Sequence, residues 1–104
     1  MSRGHNRERQ VRRVLESDDF WVCRAAGSLG DADLVALKPG RRPLLVEVKS
    51  TADGPYKHFG PKARLDLRFA GALAGADIVL AWHPPHGMLR WIGPEEWPGS
   101  GEAL

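Results

Sequence analysis

Residues 28–50 read SLGDADLVALKPGRRPLLVEVKS, and this stretch decides the fold. It contains two short apolar runs separated by a basic turn, KPGRRP, over residues 38–43. Proline and glycine interrupt regular structure, and two apolar runs around such a turn predict a β-hairpin with a loop of about four to six residues.

The second run of the hairpin carries charged residues inside an apolar strand. Because side chains alternate between faces along a strand, Leu45, Glu47 and Lys49 share one face and the other residues face the core. Same-face neighbours lie about 6–7 Å apart, and Asp33, at the start of the paired run, can approach the same place. Two carboxylates can share Mg²⁺, and a lysine can position or deprotonate a metal-bound water, which is the chemistry of phosphodiester hydrolysis.

The alternative for these residues is an ordinary surface Glu–Lys pair. Glu47, however, lies in a run apolar enough to be half-buried, and a charge in that position needs a partner. We therefore favour a catalytic interpretation of the hairpin.

Length and composition bound the class of protein. The chain has 104 residues, of which 42% are hydrophobic and 27% charged, as in an ordinary globular domain. One cysteine excludes an intramolecular disulfide and a cysteine-based zinc site, and it suits a reducing compartment. With neither a signal peptide nor a membrane-spanning run, we expect a cytoplasmic protein that does not contact a membrane. The prediction is one domain over residues 1–104, with a flexible, Gly/Pro-rich acidic end from about residue 94.

Basic residues cluster in two segments, although the net charge is only +2. Residues 3–13 hold five arginines against one acid, and residues 57–68 hold four cations against one acid. Such clusters are candidate phosphate-binding surfaces, and the alternative is a solvated charged face. The candidates for DNA contact are Arg3, Arg7, Arg12, Arg13, Lys57, Lys62 and Arg64.

The rest of the chain predicts an α/β fold with a central mixed sheet flanked by helices. The predicted elements are a helix over residues 5–18, a strand over 20–25, the hairpin, a helix over 61–73, a strand over 76–82 and a short strand over 88–92. Glu8 lies on or beside the inward stripe of the first helix, where it either joins the acidic residues or pairs with Arg12. Arg24, in an apolar strand, needs an anion or a carboxylate as partner.

Two further features remain open at this level. Ser28, in a glycine-rich turn, can bond a phosphate or only its own turn. His83 and His86 flank two prolines, but no cysteine or nearby acid completes a tetrahedral zinc site.

The second helix is predicted to begin at Pro61 and to end at Gly75. Its apolar stripe contains Leu65, Phe69 and Leu73, and Leu67 falls elsewhere on the helix. The stripe either completes the core, which applies above all to Leu65, or forms a contact between copies of the chain.

Four motifs, in this order, resemble the archaeal-type Holliday junction resolvases, a branch of the PD-(D/E)xK nucleases. They are Arg3-Gly4 with Arg7-Glu8-Arg9, the strand and turn FWVCRAAGS over residues 20–28, Asp33-Leu34-Val35-Ala36, and Val46-Glu47-Val48-Lys49. The resemblance covers roughly residues 3–93. Alanine at position 32 replaces the proline in the superfamily name, and Asp31 is an additional acid close enough to compete with Asp33 for the metal. The match of Asp33-Leu34-Val35-Ala36 to the family motif favours Asp33 over Asp31 as the metal ligand.

The resemblance implies a restriction-endonuclease-like fold and a role for each matching residue. Glu8, Asp33 and Glu47 would be the acidic metal ligands, for Mg²⁺ or alternatively Mn²⁺. Lys49 would be the catalytic lysine. Arg9, Arg24 and Ser28 would contact or activate the scissile phosphate.

The implied activity is metal-dependent resolution of four-way DNA junctions by paired symmetric nicks. A junction needs two nicks in symmetry-related strands, so we expect a homodimer that uses the second helix and the last strands. The alternatives are another PD-(D/E)xK nuclease of repair or restriction, and a DNA-binding module that keeps the fold without the chemistry.

Overall fold

The computed structural model describes residues 3–25 and 32–99, with side chains from Asn6 onward in the first helix. Its elements are α1 (Arg3–Ser17), β1 (Trp21–Arg24), β2 (Leu34–Leu37), β3 (Leu44–Lys49), α2 (Pro61–Ala74), β4 (Asp77–Trp82), β5 (Arg90–Ile92) and a short 3₁₀ helix (Pro94–Glu96). Neither α-helix in this part of the chain is long and apolar enough to cross a membrane.

The five strands form one mixed sheet in the order β1-β2-β3-β4-β5. Neighbouring strands are antiparallel except for β3 and β4, which are parallel. A parallel pair cannot be joined by a tight turn, and here α2 provides the crossover. Residues 33–37 and 44–49 pair as the predicted hairpin, so that prediction is confirmed.

Each face of the sheet has its own core. Val11 and Leu15 of α1 pack on one face against alternate residues of β3, which are Leu44, Val46 and Val48. On the other face, Leu67 of α2, Phe59 and Trp97 form a cluster with Leu80 of β4 and Ile92 of β5. The predicted core face of β3 is therefore confirmed, and Leu45, Glu47 and Lys49 point to the α2 side of the sheet.

The bounds of α2 were predicted well. Pro61 occupies its first turn, where a missing N–H costs nothing. Gly75 ends the helix in the left-handed region at φ 63°, a conformation that glycine adopts without penalty.

The exposure of α2 separates the two alternatives left open for its apolar stripe. Leu67 is fully buried, whereas Leu65, Phe69 and Leu73 are 63%, 66% and 74% exposed. The helix turns its Arg64, Leu67 and Gly71 side to the sheet, and a bulkier residue at Gly71 would meet Ile78. Leu65, expected in the core, therefore belongs to a stripe that is exposed among the described residues.

The predicted flexible end does not begin at residue 94. The 3₁₀ helix occupies residues 94–96, and Trp97 is buried with its ring edge against Phe59 at a centroid distance of 5.0 Å. The Trp97 Nε1–H donates to the Ile92 carbonyl at 3.1 Å. Packing of one large aromatic side chain thus outweighs a Gly/Pro-rich composition as far as residue 99, and residues 100–104 lie outside the described part.

Candidate active site

Asp33 is fixed where β2 meets β3. Its N–H donates to the Val46 carbonyl at 2.9 Å, while Leu34 is the register partner of the same Val46. Asp33 and Leu34, two successive residues, are thus both opposite Val46 of β3, which is the arrangement of a β-bulge. A bulge changes the direction of the side chains it carries. Asp33 Oδ2 accepts the Val48 N–H at 2.7 Å. The carboxylate therefore takes the place of a strand carbonyl and is held against β3.

Glu47 and Lys49 lie side by side on β3, as the alternation of the strand predicts. Lys49 Nζ is 3.1 Å from Glu47 Oε2, and the two side chains are only 21% and 13% exposed. β3 is paired on both sides, with β2 and with β4, so its backbone has little freedom. The pair is therefore a rigid, half-buried group rather than the mobile surface pair that was the alternative.

Burial and crowding of negative charge disfavour ionisation of both carboxyl groups. The pKa of Glu47 is raised to about 7, first because burial removes water from the carboxylate and second because the Asp33 charge is close. The pKa of Asp33 is also raised, mainly by burial and less by the Glu8 charge, although the Val48 N–H opposes the rise. Lys49 favours the charged form of each but does not cancel these effects. A cation bound beside these two carboxyl groups would stabilise their charged forms.

Glu8 reaches the same region from α1. It accepts a hydrogen bond from Arg24 Nε at 3.0 Å, and its side chain is 20% exposed. The partner expected for Arg24 is therefore a carboxylate, while Arg12 pairs with Glu16 at 3.0 Å rather than with Glu8. The Glu8 charge contributes to the raised pKa of both Asp33 and Glu47.

The donor set suits a hard divalent cation that keeps some of its waters. Within residues 3–25 and 32–99, no three His, Cys, Asp or Glu side chains are grouped so that they alone could hold a metal. Mg²⁺ is commonly held by one or two carboxylates together with waters and substrate phosphates. Asp33 and Glu47 fit that pattern, and Glu8, bonded to Arg24, stands beside it.

The arginines of α1 lie on the helix that carries Glu8. Arg9, Arg12 and Arg13 are exposed and Arg7 is half-buried. A small hollow of about 80 Å³ is bounded by Glu8, Arg9, Arg12, Arg24 and Leu34. The hollow is large enough for a phosphate oxygen or a water. Ser28, Asp31 and the side chain of Arg3 lie outside the described residues.

The second basic cluster differs from its prediction, above all at Arg64. Arg64 is buried, and its guanidinium donates to the Phe59 carbonyl at 2.7 Å and stacks on the Tyr56 ring. Its guanidinium is therefore directed into the fold rather than to solvent, which favours a structural role. Lys57 and Lys62 are ion-paired with Asp53 and Asp66 at 2.7 and 2.6 Å, on the solvent side of the protein.

Sequence reasoning missed what β4 brings to the site. Lys49 is the register partner of Trp82, and the His83 N–H donates to the Lys49 carbonyl at 2.8 Å. Trp82 Nε1 donates to the Thr51 carbonyl at 2.8 Å and so holds the chain that leaves Lys49. The apolar run of β4 predicts a strand but not the strand with which it pairs, because that pairing is set by the crossover.

Residues 1–98 match the family model of the archaeal Holliday junction resolvases, Hjc. The chain belongs to this family. Its fold is that of a solved member, Hjc from Archaeoglobus fulgidus, described as a Holliday junction resolvase from an archaeal hyperthermophile. The two share 23% identity with a TM-score of 0.77 over 95% of this chain and 79% of that one. No curated protein sequence matches the chain.

Membership of the resolvase family confirms the predicted resemblance and the predicted class of enzyme. The chain is a nuclease that acts on Holliday junctions, and its fold is α/β of the restriction-endonuclease-like kind. The mixed sheet with one helix on each face agrees with that fold.

Proposed function

We propose that the chain cuts four-way junctions by metal-assisted hydrolysis, with Asp33 and Glu47 holding Mg²⁺ or Mn²⁺ and Lys49 acting on the attacking water. The observation that carries this proposal is the half-buried Asp33–Glu47 pair with Lys49 Nζ 3.1 Å from Glu47. Ionisation of both carboxyl groups is disfavoured by burial and by a neighbouring negative charge, which is Asp33 for Glu47 and Glu8 for Asp33, so both would gain from a nearby cation. A bound divalent ion would lower the pKa of a water and neutralise charge developing on phosphorus.

Each protein group then has a task set by its position. Asp33 cannot rotate freely, because Val48 holds one of its oxygens, so it presents a fixed ligand direction. Lys49 is anchored on a strand paired on both sides, so its ammonium remains beside the metal ligands and can orient the water or balance charge on the phosphate. With a cation bound at Glu47, the Lys49 ammonium would be able to bond a water or a phosphate in place of Glu47.

Phosphate recognition falls to the arginines next to Glu8. In the protein without DNA, Glu8 neutralises the charge of Arg24 through their hydrogen bond. When DNA binds, a scissile phosphate can accept a hydrogen bond from the same guanidinium. Arg9 is placed at the same hollow as Arg24. The outward arginines Arg12 and Arg13, with Arg3 and Arg7, supply contacts to flanking phosphates, which position DNA without reading its sequence.

The test is cleavage of a synthetic four-way junction and of the matching linear duplex, each with Mg²⁺, with Mn²⁺ and with EDTA. We expect nicks in the junction alone, only with a divalent cation, and in pairs of symmetry-related strands. Asp33→Asn and Glu47→Gln should abolish cleavage yet retain or tighten binding, because carboxylate–phosphate repulsion is removed while the basic contacts remain.

The outcomes separate the alternatives. Near-normal cutting by either variant would overturn the metal-site assignment. Equal cutting of linear duplex would indicate a nuclease with another substrate preference. Tight junction binding by the unaltered protein, without cleavage under any metal, would indicate the non-catalytic binding module. Glu95→Gln, at an exposed carboxylate away from Asp33 and Glu47, serves as the control variant.

We also propose that the active unit is a homodimer formed through α2. Leu65, Phe69 and Leu73 follow one another at intervals of four residues and expose large apolar side chains along one stripe. A second copy is the occupant that fits, because a junction offers two equivalent strands and a two-fold dimer offers two equivalent sites.

The contribution of the last strands to this interface is smaller than the sequence indicates. Trp82 and Trp91 pack against the two cores of the chain itself, and Trp82 also donates to Thr51. Met88, just before β5, is the residue of that region left 87% exposed. The proposal therefore rests on the α2 stripe.

A further inference from the structure

His83 lies at the edge of the candidate active site without a role in the proposed chemistry. It follows directly after β4, and its backbone N–H donates to the carbonyl of Lys49 at 2.8 Å. Its side chain is half-buried, and Nε2 is 3.4 Å from Nη1 of Arg7 in α1. Arg7 immediately precedes Glu8. The pair therefore links the helix that carries Glu8 to the strand end next to the catalytic lysine.

The chemistry of the two side chains fixes the direction of this hydrogen bond. A guanidinium has donors only, so Nε2 of His83 must accept, which requires a neutral imidazole with its proton on Nδ1. Nδ1 lies 3.3 Å from the Pro84 carbonyl, an acceptor for that proton. The local geometry thus supports one tautomer and one direction of bonding.

We propose that His83 is a positioning residue that holds Arg7 against a junction phosphate beside Lys49. Arg7 also donates from Nη1 to Gln10 Oε1 at 3.0 Å, so this nitrogen is held both by its own helix and by His83 after β4. A long side chain held in this way loses less rotamer freedom when it binds a phosphate. The inference rests on the proposed function, since it assumes that DNA lies across the site formed by Asp33 and Glu47.

The test is a double-mutant cycle on binding of an uncut four-way junction in EDTA, with Arg7→Ala, His83→Ala and the pair. We expect His83→Ala to weaken binding about three- to tenfold, the net effect of losing one ordinary hydrogen bond, since the contact is long at 3.4 Å. Because His83 acts through Arg7, the same change in the Arg7→Ala background should have little further effect. With Mg²⁺, KM should rise in parallel and kcat should change much less.

Conservative variants separate positioning from simple support of the fold. His83→Gln extends an acceptor to about the reach of Nε2 and should restore most of the affinity. His83→Asn is equally polar but shorter, and it should bind as weakly as His83→Ala. The control is His86→Asn, on the same turn, where His86 is exposed and has a left-handed backbone at φ 61° that asparagine tolerates.

Normal affinity of His83→Ala and His83→Asn, or multiplicative effects of the Arg7 and His83 changes, would overturn the inference. A fall in kcat with unaltered junction affinity would overturn it as well, because His83 would then act on Lys49. Failure of the unaltered protein to cleave any junction would count against the proposed function instead. The binding cycle in EDTA does not depend on cleavage, so the two failures are distinguishable.

Discussion

Glu47 links the proposed chemistry to the stability of the fold. Its pKa is about 7 in the folded protein against 4.5 ordinarily, so the folded state holds the proton more tightly than the unfolded state. The stability that this provides is complete below pH 4.5 and is lost as the pH rises toward 7. Above pH 7 the half-buried Glu47 carboxylate is charged in the folded protein, and this lowers the free energy of unfolding.

Replacing this charge should therefore stabilise the metal-free protein while it abolishes cleavage. We expect Glu47→Gln to raise the free energy of unfolding at pH 8 by about 1–3 kcal/mol, with the difference from the unaltered protein narrowing as the pH falls toward the ordinary carboxyl pKa. Urea denaturation in EDTA across this pH range measures it. The exposed Glu95→Gln should show no such pH-dependent gain. A destabilised Glu47→Gln at pH 8 would mean that the bond to Lys49 outweighs the desolvation of Glu47.

Metal binding should depend on pH through the same residue. A divalent cation needs the ionised carboxylate, so binding competes with protonation and should weaken as the pH falls through about 7. We expect Mg²⁺ to raise the melting temperature more at pH 8 than at pH 6, and the increase to vanish in Asp33→Asn. Equal shifts at both pH values, or a shift retained in Asp33→Asn, would place the cation elsewhere.

At the scale of elements, α2 carries two kinds of basic residue with opposite expected effects. Arg64 is buried and donates to the Phe59 carbonyl, whereas the Lys62 side chain is 88% exposed. We expect Arg64→Ala to lower the free energy of unfolding by roughly 2 kcal/mol, because a buried carbonyl loses a charged donor, and to leave the salt dependence of junction binding unchanged.

Lys62→Ala should show the reverse. Stability should change little, because an exposed ion pair contributes little, and the slope of log affinity against log salt should become shallower by about one if Lys62 contacts a phosphate. Filter binding over a salt series, with urea denaturation of both variants, measures these effects. An unchanged slope for Lys62→Ala would make the cluster a solvated face. A shallower slope for Arg64→Ala would contradict its structural role.

The same helix shows where sequence analysis reaches its limit. Pro61 and Gly75 mark its ends by local backbone chemistry, which a sequence contains in full. The face that packs inward depends on partners distant in the chain, and α2 has two apolar sides. Leu65, Phe69 and Leu73 form the more regular stripe, yet the sheet is met by Leu67 and Gly71, since only a glycine there lets the helix approach Ile78. Regular apolar spacing indicates that a face becomes buried, but it does not identify the surface that buries it.

The site itself was more predictable than the helix. Asp33, Glu47 and Lys49 meet because strand alternation and a hairpin are local properties. The bulge that aims Asp33 and the contact of His83 with Lys49 arise from pairings that no local pattern encodes. Glu8 was placed near the site by helical periodicity, but its bond to Arg24 needed the packing of α1 on the sheet.

At the scale of the whole molecule, the α2 stripe predicts concentration-dependent assembly. Phe69→Glu should place a charge in the middle of the stripe and leave the core intact, because Phe69 is 66% exposed. We expect the unaltered chain to sediment as a dimer at micromolar concentration and Phe69→Glu as a monomer of 11.5 kDa. The variant should nick junctions singly rather than in pairs, since each binding event then brings one active site.

Ala63→Glu is the matched control for that experiment. Ala63 is exposed on the same helix but points about 160° away from Leu65, so the same charge lies off the stripe. It should remain dimeric and cut in pairs. A monomeric unaltered chain that still makes both nicks in one binding event would contradict the dimer.

The bond between Asp33 Oδ2 and the Val48 amide makes one backbone nucleus a reporter of the site. An amide proton that faces a carboxylate experiences its charge directly, so the nitrogen–proton resonance of Val48 should move when Asp33 gains a proton or shares its charge with an ion. Occupancy of the site could then be followed by a single peak in solution, without cleavage and without DNA. Since Val48 also points its own side chain into the core beneath α1, the same peak would report whether the sheet shifts when the ion arrives.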